Sequence, residues 1–290
     1  MKKLWFTLLA VIVAAFPVYA SSVPEISKLP EVIPIQNADL NLTPNEAAQV
    51  ERFNQGLVEA LRESNYDIEN SATSNEKILD QVVESYCRKH LDPLSSALYN
   101  SAVEDSLFGN ILLDSEQASS QYVANTHVYK VNEHLTLTIT PLDIYLDEII
   151  VTPVNKSVVT TAKAASWKYK KVATKRTLYK KLKDQALKTY SVHTGGEVKY
   201  NGKSAKHSSG YYAYTQQESY GSACTFSKIA KQSEACTGTS WHYKYLGKVS
   251  GKAKLTTPVS ITVTFKEELL GCEAVIDKKG NVTKHYWPKL

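Results

Sequence analysis

Hydrophobic spacing along the chain changes period once. Val50, Phe53, Leu57, Val58 and Leu61 fall on one helical face, and Ile78, Leu79, Val82, Val83, Tyr86 and Cys87 do the same further on. A start signal precedes each run. Thr43-Pro44-Asn45-Glu46 offers a capping hydroxyl, a proline at the first helical position and an acid that reaches back to the cap, and Thr73 with Glu76 repeats the capping box. Asp92-Pro93 predicts the end of the second helix and the start of a third.

From about residue 121 the period becomes two. Leu135, Leu137 and Ile139 alternate with Thr136, Thr138 and Thr140, and Val259, Ile261, Val263 and Phe265 alternate with Ser260, Thr262 and Thr264. Both are strand patterns with one apolar face. Asn201-Gly202 predicts a tight hairpin turn, as does Asp277 to Asn281 between the runs ending at Ile276 and starting at Val282. His193-Thr-Gly-Gly196 and Lys203-Ser-Ala-Lys206 also read as polar turns. Within this half, Tyr169, Val172, Tyr179, Leu182 and Ala186 recur at spacings of three, seven, three and four, which predicts a basic amphipathic helix near 163–188. The fold class expected is α+β: a small acidic helical unit over 44–112, then a mainly antiparallel β unit over 121–290 with that helix inserted.

Two further segments precede the helices. Lys2, Lys3, the apolar run Leu4 to Phe16 and the small-residue end Val18-Tyr19-Ala20 make residues 1–20 a secretory signal peptide. That run is too short to span a bilayer, so the mature chain is expected to begin at Ser21, to lack a transmembrane span and to be periplasmic or secreted. Pro24, Pro30 and Pro34 make 21–43 an extended arm.

Charge sharpens the division. Residues 1–151 hold 9 Lys or Arg against 21 Asp or Glu, and residues 152–290 hold 25 against 8, differences of −12 and +17. Such polarity implies either an anionic partner or docking of the acidic unit on the basic one. The densest basic run contains Lys168, Lys170, Lys171, Lys175, Arg176, Lys180 and Lys181, the expected binding residues. Arg176 is the one arginine among the 25, which argues against base-specific readout of nucleic acid and for diffuse attraction to an anionic glycan, a lipid surface or a nucleic-acid backbone. Trp241, Tyr243 and Tyr245 share one face of a strand and could stack on sugars or bases, and Tyr211, Tyr212, Tyr214 and Tyr220 lie in another polar stretch.

Reactive residues form no familiar constellation. The seven histidines include no pair four apart, the cysteines show no Cys-x-x-Cys spacing, and Gly238-Thr-Ser240-Trp-His242 lacks the closing glycine of a nucleophile elbow. No catalytic residue, metal site or cofactor is indicated. Four cysteines in an exported chain imply disulfides, with the short loop Cys224–Cys236 leaving Cys87 for Cys272. The function expected is an exported, non-enzymatic binding protein that engages an anionic envelope, surface or host component. One alternative is a secreted membrane-active toxin or pore former, since apolar and hydroxyl residues in alternation also describe barrel strands. Another is an exported hydrolase whose site gathers a histidine, a carboxylate and a Ser or Cys from distant strands.

Overall fold

The structure is a computed structural model that describes residues 43–64, 72–96, 126–156, 166–182, 184–217, 224–236, 238–255 and 261–288. The expected signal peptide and the arm up to residue 42 lie outside them, as do the side chains of Thr73, Glu76 and Cys224. The described residues are mostly antiparallel β with a few helices, an α+β fold.

Helix α1 (Pro44–Glu63) starts as its sequence predicts. The Glu46 N–H donates to Thr43 Oγ1 at 3.3 Å and the Thr43 N–H donates to Glu46 Oε2 at 2.8 Å, which satisfies two donors at the helix start. Helix α2 (Ala72–Lys89) packs on it, and the Tyr86 hydroxyl donates to the Phe53 carbonyl at 3.0 Å across Gly56. Asp92 then caps a short turn at 93–96 by accepting from the N–H groups of Leu94 and Ser95.

Six strands form one antiparallel meander in chain order: β1 (His127–Lys130), β2 (Leu135–Ile139), β3 (Asp143–Val154), β4 (Lys168–Leu182), β5 (Gln185–Tyr200) and β6 (Ala205–Gln217). Four more form a second, β7 (Cys224–Cys236), β8 (Ser240–Leu255), β9 (Ile261–Ile276) and β10 (Val282–Trp287). Both expected hairpin turns form. Asn201 Oδ1 accepts from the N–H groups of Lys203 and Ser204, with Gly202 at φ 83°, and Asp277 Oδ1 accepts from those of Lys279 and Asn281.

The large sheet is buried on both faces, in different places. Its outer face presents Leu135, Leu137, Ile139, Ile144, Leu146 and Tyr179 to Phe53, Leu57, Leu79 and Val83 of the helices. The inner face presents Tyr145, Leu178, Tyr190 and Val192 to Tyr245, Val249, Leu270 and Cys272 of the small sheet, and Val172 and Val198 to Tyr243, Ala274 and Ile276. The layers are therefore helices, six strands and four strands.

The basic helix expected near 163–188 is not formed; Lys168–Leu182 is strand β4. The stripe read as helical is split by the sheet, with Val172 in the inner core and Tyr179 in the outer one. What decides the matter is long-range. Antiparallel pairing sets Asp143 opposite Lys180, Asp147 opposite Arg176 and Glu148 opposite Lys175, so β3 meets the charges of β4 acid to base in register. Lys180 Nζ lies 2.8 Å from Asp143 and 2.7 Å from Glu268 of β9, Arg176 Nε 3.1 Å from Asp147, and Lys175 Nζ 3.0 Å from Glu148. Arg176 also rests 4.1 Å above the Tyr145 ring and donates to the Pro288 carbonyl at 2.9 Å. On the outer face Lys188 pairs with Asp80 at 2.8 Å, Lys181 pairs with Asp92, and the Tyr179 hydroxyl donates to Asp80.

Arg176 is about 1 % exposed and Asp147 about 3 %, so removing one leaves the other buried without its partner. R176M is expected to cost about 3–5 kcal/mol in urea unfolding, and D147N/R176M together less than R176M alone. Titration adds a second expectation. Burial pushes the Asp147 carboxyl up to about 6 despite Arg176, and burial with the repulsion of Asp143 pushes Glu268 up to about 7. Both bind a proton in the folded chain at pH values where the unfolded chain has lost it. Their contribution is therefore largest in mild acid and falls as pH rises from about 4.5 through 7. Thermal unfolding of E268Q should show a flatter pH dependence over this interval than wild type.

Candidate ligand-binding face

Helices cover the outer face of the large sheet at one end. Farther along, the same face carries Ile150 and Thr152 of β3, Lys171 and Ala173 of β4, Gly195, Glu197 and Lys199 of β5, and Lys206, Ser209 and Tyr212 of β6. Between them runs an open groove of about 550 Å³, lined by Ile150, Thr152, Lys171, Ala173, Glu197, Ser209, Gly210 and Tyr212 among others.

Small residues and bulges make this groove. A Cβ on Gly195 would lie 2.2 Å from the Val172 carbonyl oxygen and 2.8 Å from the Tyr212 hydroxyl, so only glycine lets that tyrosine lean across β5. On the opposite face a Cβ on Gly196 would lie 2.9 Å from the Tyr243 ring, whose hydroxyl donates to the Glu197 carbonyl at 2.8 Å. Register breaks on both sides of Glu197 bend the β5–β6 pair at this point. Tyr212 is 37 % exposed, yet burial of its hydroxyl pushes it up to about 12. Tyr214 is 48 % exposed and stacks on His193 at 4.4 Å.

Lysines gather where the groove meets the end of the sandwich. Tyr169 faces Lys199 across the β4–β5 pair, and Lys199 faces Lys206 across the next. Lys156 sits 4.9 Å over the Tyr169 ring and pairs with Glu197, whose carboxyl is held below its usual range by Lys156 and Ser208. Lys199 sits 5.3 Å over Trp167. Lys170 crosses to the small sheet and donates to the Gly280 carbonyl at 2.6 Å, beside the exposed Lys278 and Lys279.

The residues expected to bind thus separate. Lys168 and Lys171 are exposed at the lysine end, Lys170 is half-buried, and Lys175, Arg176, Lys180 and Lys181 lie in ion pairs. Trp241, Tyr243 and Tyr245 do share a face of β8, but it is the inner one. Tyr243 is fully buried, Tyr245 accepts from Thr215 Oγ1 at 3.0 Å, and the Trp241 indole donates to Ser233. Among the described residues, which leave out Tyr220, the open aromatics are Tyr212 and Tyr214. Lys199, Glu197 and Ser209 had no distinguishing signal, and His193 to Gly196, read as a turn, lies within β5. Two glycines inside a strand are the mark of close approach that could have revealed the groove.

Other polar pairs lie apart from it. Ser191 Oγ is 2.9 Å from His193 Nε2 on the large sheet, and His242 Nδ1 is 2.7 Å from Glu273 on the small one. Among the described residues no three His, Cys, Asp or Glu converge to hold a metal, and no helix is long and apolar enough to cross a membrane.

No disulfide-bonded cysteine pair is seen among the described residues, where Cys87 and Cys272 are free thiols. Cys87 lies in the core between helices and large sheet, and Cys272 in the core on that sheet's other face. Cys224 and Cys236 are the two ends of β7. Twelve strand steps separate their Cα atoms by about 40 Å, where a disulfide bridges at most about 7 Å. Sequence proximity misled because the intervening residues are extended rather than looped.

These elements define a class: a two-layer antiparallel sandwich with one helical cover and an open face of lysine and tyrosine. Comparison with protein-family models, curated proteins and solved structures gives no match.

Burial pushes the Cys87 thiol up to about 12 and raises Cys272 as well, so neither ionises near neutrality. Maleimide labelling without reductant should leave both unmodified in the native protein and modify both in denaturant, read by peptide mass. A mixed pattern with Cys87 joined to Cys272 would contradict the layer assignment.

Proposed function

We propose that the protein is an exported, non-enzymatic binding protein whose open sheet face engages an acidic polysaccharide of an envelope or host surface. The observation that carries this is the groove's continuity with the lysine end. A chain-like ligand fits an open-ended groove better than a small molecule does. Its ring faces can stack on Tyr212 and its hydroxyls can bond Ser209 and Thr152, while its carboxylates or sulfates lie near Lys171, Lys199 and Lys206. Lysine suits this task because a repetitive polymer demands point charges rather than the fixed fork of arginine. The same lysines also answer the charge imbalance, since their own half supplies few acids to neutralise them.

Binding of residues 21–290 to polygalacturonate should weaken with salt, and binding to neutral dextran should be absent. K171S/K199S/K206S is expected to lose about tenfold in affinity and to flatten the salt dependence. Y212A should weaken binding while leaving the salt dependence in place. Equal binding of dextran, or an unchanged triple variant, would refute the reading.

A further inference from the structure

A slot of about 340 Å³ opens between the middle of α1 and the end of α2. Its floor is aromatic. The Tyr86 ring lies 5.4 Å from that of Phe53 and stacks on His90 at 4.4 Å, 27° from parallel. A Cβ on Gly56 would lie 2.2 Å from the Tyr86 hydroxyl, which crosses α1 to reach the Phe53 carbonyl. Glycine inside a helix is destabilising relative to alanine, and here it serves the placement of that ring. The rim is cationic: Arg52, Lys89 and His90 are all exposed there. At the helical contact spacings Arg52 has Ala48, Gln49, Gln55 and Gly56, and Lys89 has Ser85 and Tyr86, so neither helix supplies a carboxylate to its own cation. Acids close by in sequence are engaged elsewhere. Glu51 accepts from Gln55 and Tyr129, and Asp92 pairs with Lys181 and caps the turn at 93–96. Among the described residues no acid pairs with Arg52, Lys89 or His90.

This rim runs against the charge of its own layer. Residues 43–64 and 72–96 hold 8 Asp or Glu against 5 Lys or Arg, yet the slot is lined by cations alone. The dipole of α2 accounts for a lysine in its last turn, but not for Arg52 in the middle of α1. Leu91, 59 % exposed, and Pro93 add an apolar wall. A flat floor, an apolar wall and unmatched positive charge call for a ligand with a ring and an anionic group, and the volume lies at the small end for ligand pockets, which suits one or two rings rather than a chain. We propose that this slot binds a small aromatic carboxylate, its ring lying against the Tyr86–His90 pair and Leu91 and its carboxylate meeting Arg52 and Lys89. The guanidinium fork of Arg52 matches a carboxylate in two bonds, and Lys89 adds a point charge. A sugar acid lacks the flat aromatic body, and no residue that lines this slot lines the sheet groove, so the site goes beyond the glycan face.

The test titrates residues 21–290 with 1-naphthoate, with the neutral 1-naphthalenemethanol and with acetate, read by calorimetry. Wild type should bind one naphthoate saturably, bind the alcohol about tenfold or more weakly, and show no saturable binding of acetate. R52S/K89S, which changes two exposed side chains, should lower naphthoate affinity by about tenfold and leave polygalacturonate binding unchanged. H90A should lose about fivefold, and H90F, which restores a flat ring, should bind within about threefold of wild type. K171S/K199S/K206S should bind naphthoate as wild type does. The proposal is overturned if wild type does not bind naphthoate, if the alcohol binds equally well, or if R52S/K89S binds undiminished. It is equally overturned if naphthoate binding is lost in the triple lysine variant alone, which would assign the carboxylate to the sheet face. Acetate binding as tight as naphthoate would also overturn it, since charge alone would then account for the contact.

Discussion

Everything in this structure hangs on the pairing of β3 with β4, where three acids meet three bases in register: Asp143 with Lys180, Asp147 with Arg176, Glu148 with Lys175. Taking such charges out of water costs nearly what their attraction returns, so the pairs contribute little net stability compared with an apolar core of the same shape. Their effect is on choice. A slip of one residue would turn every β4 side chain to the other face and leave Asp147 and Arg176 buried without one another. β4 also ties the large sheet to the small one and to the chain after β10, by Lys180 to Glu268 and by Arg176 to the Pro288 carbonyl. Fixing its register fixes the layers.

The same constraint determines what remains outside. With Arg176 and Lys180 committed to the inner face, alternation places Lys171 and Ala173 on the outer face, where they line the groove. Charge polarity between the halves is resolved in the same way. Asp80, Asp92, Asp143, Asp147 and Glu148, all from the acidic half, meet Lys188, Lys181, Lys180, Arg176 and Lys175. All five pairings lie toward the helix-covered end and the middle of β4, and Lys168, Lys171 and Lys199 stand toward its other end, near Tyr169 and Trp167.

Local signals made part of this legible. Both helices, the alternation of β2, and two of the hairpin turns follow from residue spacing and turn chemistry, because each is decided by neighbours in sequence. β4 is different. Lysines on both faces of a strand look like a solvated helix until the acids of β3 are known to stand opposite, and no local pattern carries that information. Trp241, Tyr243 and Tyr245 show a related limit: alternation assigns them correctly to one face, but which face is covered depends on the large sheet. The cysteines fail for a third reason, since separation in sequence says nothing of distance when the chain between is extended.

Burial of charge has a further consequence for how the groove and the helices relate. The outer face of the large sheet is one continuous surface, and among the described residues helices cover it only at one end. Asp80 reaches Tyr179 and Lys188, and Asp92 reaches Lys181, so the middle of α2 and the cap of the turn that follows it are held at one end of β4 and β5. Beyond that point the sheet offers Lys175 already matched by Glu148, then Ala173 and Gly195, which give a helix neither charge to pair with nor side chains to interlock with. An apolar helix cannot pack on a floor of alanine and glycine bent by bulges, but a flat sugar ring can lie there with Tyr212 at its edge. Among the described residues, the floor that offers a helix no purchase is thus also the floor of the groove.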